Sequence, residues 1–204
     1  MFVIFLLLTA ACADHKIIDR PITFNEERIE LTRKYLKARY EIDQNGPEIT
    51  PKMVVVHWTV IPTADKTFAA FDPPVLPGSR EGIAGASALN VSSQFMVDVD
   101  GTIYRLMPEN WMARHVIGLN HCAIGIENVG PQPNGELTAA QLEANIWLIK
   151  YLRDKYPIEH VIGHYEYTDW EGHELWLEVD DGYRTEKNDP GEKFMRELRK
   201  ALAQ

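Results

Sequence analysis

Residues 52–57 read Lys-Met-Val-Val-Val-His, a short apolar run rich in β-branched side chains that stops on an imidazole. A run of that length with no polar alternation reads as a strand covered on both faces, the kind found inside parallel sheets. Residues 122–129, Cys-Ala-Ile-Gly-Ile-Glu-Asn-Val, make a second such run, closed by Gly130-Pro131. Between the two, Gln94–Asp98 and Thr102–Leu106 flank Asp100-Gly101, a strong hairpin signal because that pair suits a tight primed turn. Val161–His164 is a further short strand or strand end.

Helical signals alternate with these runs. Thr138 with Gln141 is a capping box, and Leu142, Ile146, Ile149 and Leu152 repeat at helical spacing up to about Asp154, before Pro157. Thr23 with Glu26 predicts another box and a helix to about Tyr40, with Ile29, Leu36 and Tyr40 on one face. Glu192–Leu202 is a terminal helix opening after Pro190-Gly191, residues 44–51 are a connector, and Phe71–Gly85 reads as loop. Helices interleaved with strands, one hairpin included, predict an α/β fold: a single domain with a central mixed β-sheet flanked by helices.

Composition narrows the function. The chain has 204 residues, with Lys plus Arg 21 against Asp plus Glu 30, a formal charge of −9. Non-specific affinity for nucleic acid comes from neutralising phosphates, so an acidic chain without a basic run is not expected to bind it. A hydrophobic share of 45% and a charged share of 25% belong to an ordinary folded protein. Two cysteines can neither staple a small fold nor build a four-cysteine zinc site.

The first eleven residues, MFVIFLLLTAA, carry no charge and are far shorter than the ~20 residues a membrane-spanning helix needs. They match the apolar core of an export signal, with small residues leading into Cys12. That arrangement resembles a bacterial lipoprotein signal, although no Lys or Arg follows Met1 and Thr9 stands where Leu is usual. The resemblance implies a signal peptide over 1–11 and Cys12 as a lipidated mature N-terminus; the helical pattern that follows marks an extension over 12–50, ahead of the main domain over 51–204. It also implies export to the cell envelope, with a lipid anchor as the only membrane attachment, facing the periplasm. Cys122 would then be the only free thiol, so no disulfide forms within the mature chain.

Three polar residues end apolar strands or open a tight turn. His57 closes the first run, His164 closes Val161–Gly163, and Asp189 immediately precedes Pro190-Gly191. A hydrolytic zinc site needs three protein ligands and one open position, and two imidazoles with a carboxylate supply such a set. Spacing alone favours two hydrogen-bonded core histidines and a helix-capping aspartate over such a site.

Taken in order, Val54–Thr59, Val91–Asp98, Asp100–Tyr104, Asn120–Glu127 (NHCAIGIE), Gly163-His164 and Lys187–Gly191 (KNDPG) resemble the zinc-dependent N-acetylmuramoyl-L-alanine amidases of type 2, the family that includes peptidoglycan recognition proteins. The likeness runs from about Met53 to Phe194. It implies zinc as cofactor on His57, His164 and Asp189, with Glu127 as the catalytic acid and base and Lys187 stabilising the transition state. The implied partner is peptidoglycan or a muropeptide, met by a monomer. The implied reaction is hydrolysis of the amide between N-acetylmuramic acid and L-alanine; the alternative is a non-catalytic peptidoglycan-binding module of the same fold. His115, Asn120 and Trp58 are the candidate substrate contacts.

The chain departs from the family pattern where Ser93 and Gln94 replace a frequent His or Tyr, and in the flanks of His115. The stretch from 165 to 186 is also long for the family, and it carries Trp170, His173, Trp176 and Tyr183, either as a cleft wall or as a packed surface loop. His121 and His160 read as solvent-facing, and His173 as a weak rival for the metal.

Overall fold

The computed structural model describes residues 15–78, 83 and 85–204; the signal peptide expected over 1–11 and Cys12 lie outside the described residues. Six strands form one mixed sheet: β1 (Ile17–Asp19), β2 (Met53–Trp58), β3 (Phe95–Val97), β4 (Ile103–Arg105), β5 (Ala123–Asn128) and β6 (His160–Gly163). Their order is β1-β4-β3-β5-β2-β6, and only the β3–β4 pair is antiparallel. The helices are α1 (Glu26–Tyr40), α2 (Ala64–Phe71), α3 (Ala139–Lys155) and α4 (Glu192–Leu202), with a 3-10 helix over His164–Trp170. Among the described residues, no helix is long and apolar enough to cross a membrane.

The two central runs are strands where the sequence places them, and their alternation assigns the faces. Val54 and Val56 of β2 and Ile124 and Ile126 of β5 point into a core shared with Leu148, Ile149 and Leu152 of α3 and Met195 and Leu198 of α4. Met53 and Val55 of β2 and Ala123 of β5 point the other way, onto Val116, Ile117, Leu119, Tyr167 and Leu175. Each fully buried aliphatic side chain contributes roughly 1.5–3 kcal/mol, so a strand with cores on both sides has a fixed register. Further along the second face come His57 and, beyond Gly125, Glu127, directly paired across β2 and β5. Strand period therefore sets an imidazole beside a carboxylate.

Helix α3 begins with the expected box, Thr138 and Gln141 capping each other. Its buried polar stripe is functional scaffolding. Gln141 Nε2 donates to the Val129 carbonyl at 2.9 Å, Asn145 Nδ2 donates to Asn128 Oδ1 at 2.7 Å, and Asn128 Nδ2 donates to the His57 carbonyl at 3.0 Å.

Two expectations need correction, and two elements went unread in the sequence. The cap of α1 is Asn25, whose side chain accepts from Arg28 N, while Thr23 binds Asp72 instead. Residues 64–71, not marked as helical by the sequence, form α2 behind a Thr63 cap, with Ala64, Thr67 and Phe71 buried at helical spacing over only two turns. His121 is not solvent-facing: its ring is half-buried edge-on to Tyr40 at 5.2 Å. Strand β1, three residues long, gave no signal in the sequence; it pairs in parallel with β4 and so joins residues 17–19 to the same sheet.

Candidate metal centre

His57 is the penultimate residue of β2, His164 directly follows β6, and Asp189 precedes α4. Strand β2 lies beside β6, which brings the two histidines together. Asp189 is placed by its backbone: the Tyr165 N–H donates to the Asp189 carbonyl at 3.0 Å, tying the segment before α4 to the 3-10 helix. Gly191, with φ of 90°, makes the turn into α4 in the left-handed region that favours glycine, and it packs against Trp58.

The three side chains converge on one point. His57 Nδ1 lies 2.9 Å from His164 Nδ1, His164 Nδ1 lies 3.1 Å from Asp189 Oδ2, and His57 Nδ1 lies 3.3 Å from the same oxygen. All three residues are buried. Zinc holds nitrogen and oxygen donors at about 2.0–2.2 Å, so neighbouring donors of a tetrahedral site stand roughly 3.3 Å apart. A triangle of 2.9, 3.1 and 3.3 Å fits that demand with slight contraction. Among the described residues, this is the group of His, Cys, Asp and Glu side chains so arranged.

Protonation suits the same purpose. Burial, then the neighbouring His57, pushes the His164 pKa down to about 4, which leaves its ring neutral at pH 7. Burial alone would raise the Asp189 carboxyl, but hydrogen bonds with His164 and His57 outweigh it and hold the group well below the usual carboxylate range. Neutral imidazoles and an ionised carboxylate are the forms that bind a divalent cation.

A cavity of about 480 Å³ opens above the triangle, with Trp58, Glu127, His115, Tyr183 and Lys187 in its lining. Glu127 is half-buried, one strand across from His57. Lys187 is exposed at the rim, close enough to depress His164 further. The stretch 165–186 divides between both roles left open by the sequence. Tyr183 and Thr185 line the cavity. Tyr167 and Leu175 are buried in the core beneath, with Trp170 and Trp176 packed against it. His173 packs edge-on against Trp170 and His160, apart from the metal triad.

Asn120 is fully buried with its amide committed internally: Oδ1 accepts from the His115 and Val116 N–H groups, and Nδ2 donates to the Tyr40 hydroxyl at 2.9 Å. Residues missed by the sequence reading include Arg114, whose guanidinium donates to the Leu89 carbonyl and the Tyr183 hydroxyl, joining two walls of the cavity. Val60 is another: it lines the cavity while 76% exposed, with φ of 55°. A β-branched residue in that region costs about 1–3 kcal/mol, and its N–H is held by the Gly130 carbonyl at 2.7 Å. No local sequence pattern marks either residue.

A family model described as N-acetylmuramoyl-L-alanine amidase matches residues 44–192. The chain belongs to this amidase family. No curated protein sequence matches it. Among solved structures, the N-acetylmuramoyl-L-alanine amidase LysC from Clostridium intestinale URNW is 23% identical, with 90% of this chain and 97% of that one covered and a TM-score of 0.52. The Ph2119 endolysin from the Thermus scotoductus MAT2119 bacteriophage is 19% identical, with 92% and 99% covered and a TM-score of 0.54. Human PGRP-IBETAC, solved in complex with glycosamyl muramyl pentapeptide, is 19% identical, with 86% and 90% covered and a TM-score of 0.51. At these identities the likeness establishes a shared fold, single-domain with a mixed sheet and helices.

Proposed function

We propose that this protein is a zinc-dependent amidase that hydrolyses the bond between the lactyl group of N-acetylmuramic acid and L-alanine in peptidoglycan or muropeptides. The observation that carries the reading is the triangle of His57, His164 and Asp189 beneath a cavity that also presents Glu127 and Lys187. When bound, zinc supplies Lewis acidity at the scissile carbonyl and acidifies the attacking water. Glu127 takes the proton of that water and delivers it to the leaving amine of L-alanine, so that the amine departs neutral. Lys187, at the rim, neutralises the charge that develops on the carbonyl oxygen. Trp58 and Tyr183 offer aromatic faces for the sugar ring or the peptide.

The acidic chain has no general electrostatic attraction for an anionic cell wall, so affinity resides in these local contacts. We also propose that the protein is exported and held at the envelope through Cys12. Incubating the zinc-loaded chain with a synthetic muropeptide and with unrelated acyl-amino acids tests the reading. Cleavage confined to the lactyl–alanine amide is the expected result. Binding of the muropeptide without cleavage would instead assign a recognition module.

A further inference from the structure

His115 lies against the back of the metal triad, in an arrangement the proposed chemistry does not use. Its Nδ1 stands 3.0 Å from His57 Nε2, the ring nitrogen that faces away from Asp189. The two rings meet edge to face, with planes at 88°. On its far side, His115 Nε2 points to the Ala123 carbonyl at 3.4 Å. These contacts define one consistent placement of protons. A His57 that binds a cation through Nδ1 must carry its proton on Nε2. His115 Nδ1 must then be bare to accept it, and the remaining His115 proton, on Nε2, points at a carbonyl.

The surroundings are built for this ring. Gly125 is the residue of β5 over which it lies, and a Cβ there would come within 2.9 Å of His115 Cγ and Cδ2. The Gly125 N–H is held by Gln94 Oε1 at 2.7 Å, which fixes the bare strand position. The His115 backbone is fixed in turn by Asn120 Oδ1 at 2.9 Å, and Asn120 is anchored on the Tyr40 hydroxyl of α1. Metal-bound histidines generally donate their second N–H to a carboxylate, carbonyl or water that sets ring orientation, and loss of that partner typically costs 10–100-fold in metal affinity.

We infer that His115 is a positioning residue: seated on Gly125, it accepts the Nε2 proton of His57 and so commits His57 to bind metal through Nδ1. This role rests on the zinc reading above, and it replaces substrate contact as the task of His115. It also gives Gln94 a purpose, since the side chain that departs from the family pattern supports the strand position on which His115 rests.

The test uses the full chain labelled with ¹⁵N, loaded with zinc and read by long-range ¹H–¹⁵N correlation. His57 is expected to carry its proton on Nε2, with His115 Nδ1 bare. Zinc affinity, measured by competition with a chromophoric chelator, should fall about 10–100-fold in His115→Leu. His115→Gln, whose amide oxygen restores an acceptor, should recover most of that loss. Gly125→Ala should reproduce the His115→Leu defect, and the double variant should be no weaker than either. Urea unfolding of the metal-free variants separates lost metal affinity from lost fold; should His115→Leu not fold, Gly125→Ala and the native spectrum decide. A His57 proton on Nδ1 in the zinc-loaded protein, or native zinc affinity in His115→Leu, would overturn the role of His115 alone. A native chain that takes up no zinc would overturn the proposed metal site itself.

Discussion

Glu109 and Asp189 are both buried carboxylates, 4% and 7% exposed, yet their surroundings are opposite in kind. Glu109 receives Lys155 Nζ at 2.6 Å, Arg105 Nη1 at 3.0 Å and the hydroxyls of Tyr151 and Tyr156, each at 3.0 Å. Two cations and two hydroxyls satisfy both oxygens, and the cluster is complete within the protein. Asp189 instead meets two imidazole nitrogens that also face each other, so three atoms able to act as ligands point at one centre. Such a cluster offers the donor set and the spacing that a divalent cation takes. Burial of charge does not distinguish a site from a structural knot; the balance of donors and acceptors does.

Removing one acceptor tests that contrast most severely. Asp189→Ala should weaken zinc binding by more than about 100-fold, beyond what loss of a supporting residue costs, and should abolish hydrolysis. Metal analysis after dialysis reads the first effect; undiminished zinc content would put the third ligand elsewhere. Glu127→Gln should separate chemistry from metal binding, with turnover down by about 10²–10⁴ and zinc stoichiometry intact. Native turnover in that variant would remove Glu127 from the reaction.

The self-sufficient cluster should behave in the reverse manner. Glu109→Gln should leave zinc uptake and turnover unchanged while lowering stability at pH 7 by about 1–3 kcal/mol, measured by urea unfolding. Burial alone would raise the Glu109 pKa, but hydrogen bonds from Lys155 and Tyr151 hold it below its ordinary value of 4.5. Its contribution is thus present above pH 4.5 and is lost as pH falls through the lower folded value, so the variant and native curves should converge in acid. A stability gap that persists in strong acid would contradict this account of the knot.

The smallest effect concerns His121, whose pKa burial and then Lys52 push down to about 4 from 6.5. The unfolded chain takes up that proton first, so the stability held above pH 6.5 is lost as pH falls toward 4. His121→Gln should flatten the metal-free stability profile across that window, whereas an unchanged slope would assign the acid sensitivity to other groups.

The contrast also explains what could be read from the sequence. Continuous apolar runs announced β2 and β5, whose two covered faces demand hydrophobic residues at every position, and a reciprocal capping box announced α3. The convergence of His57, His164 and Asp189 was legible because each member ends such a run or precedes a turn, and because the family motifs stand in order. Glu109 was not, since its partners come from β4 and from the far end of α3, and no local pattern records a pairing made in space. The same holds for Asn128 and Asn145, which appear as ordinary polar residues in the sequence yet hold the His57 carbonyl in place. Strand β1 and helix α2 escaped because they are only three and eight residues long, too short for a pattern to stand out from the loops beside them.

The most direct test of the central claim applies the zinc-loaded chain to purified peptidoglycan sacculi and follows new amino termini by mass spectrometry. The account predicts release of stem peptides beginning with L-alanine, lost on chelation and restored by zinc. Full zinc occupancy of His57, His164 and Asp189 with every glycan–peptide amide left intact would contradict it.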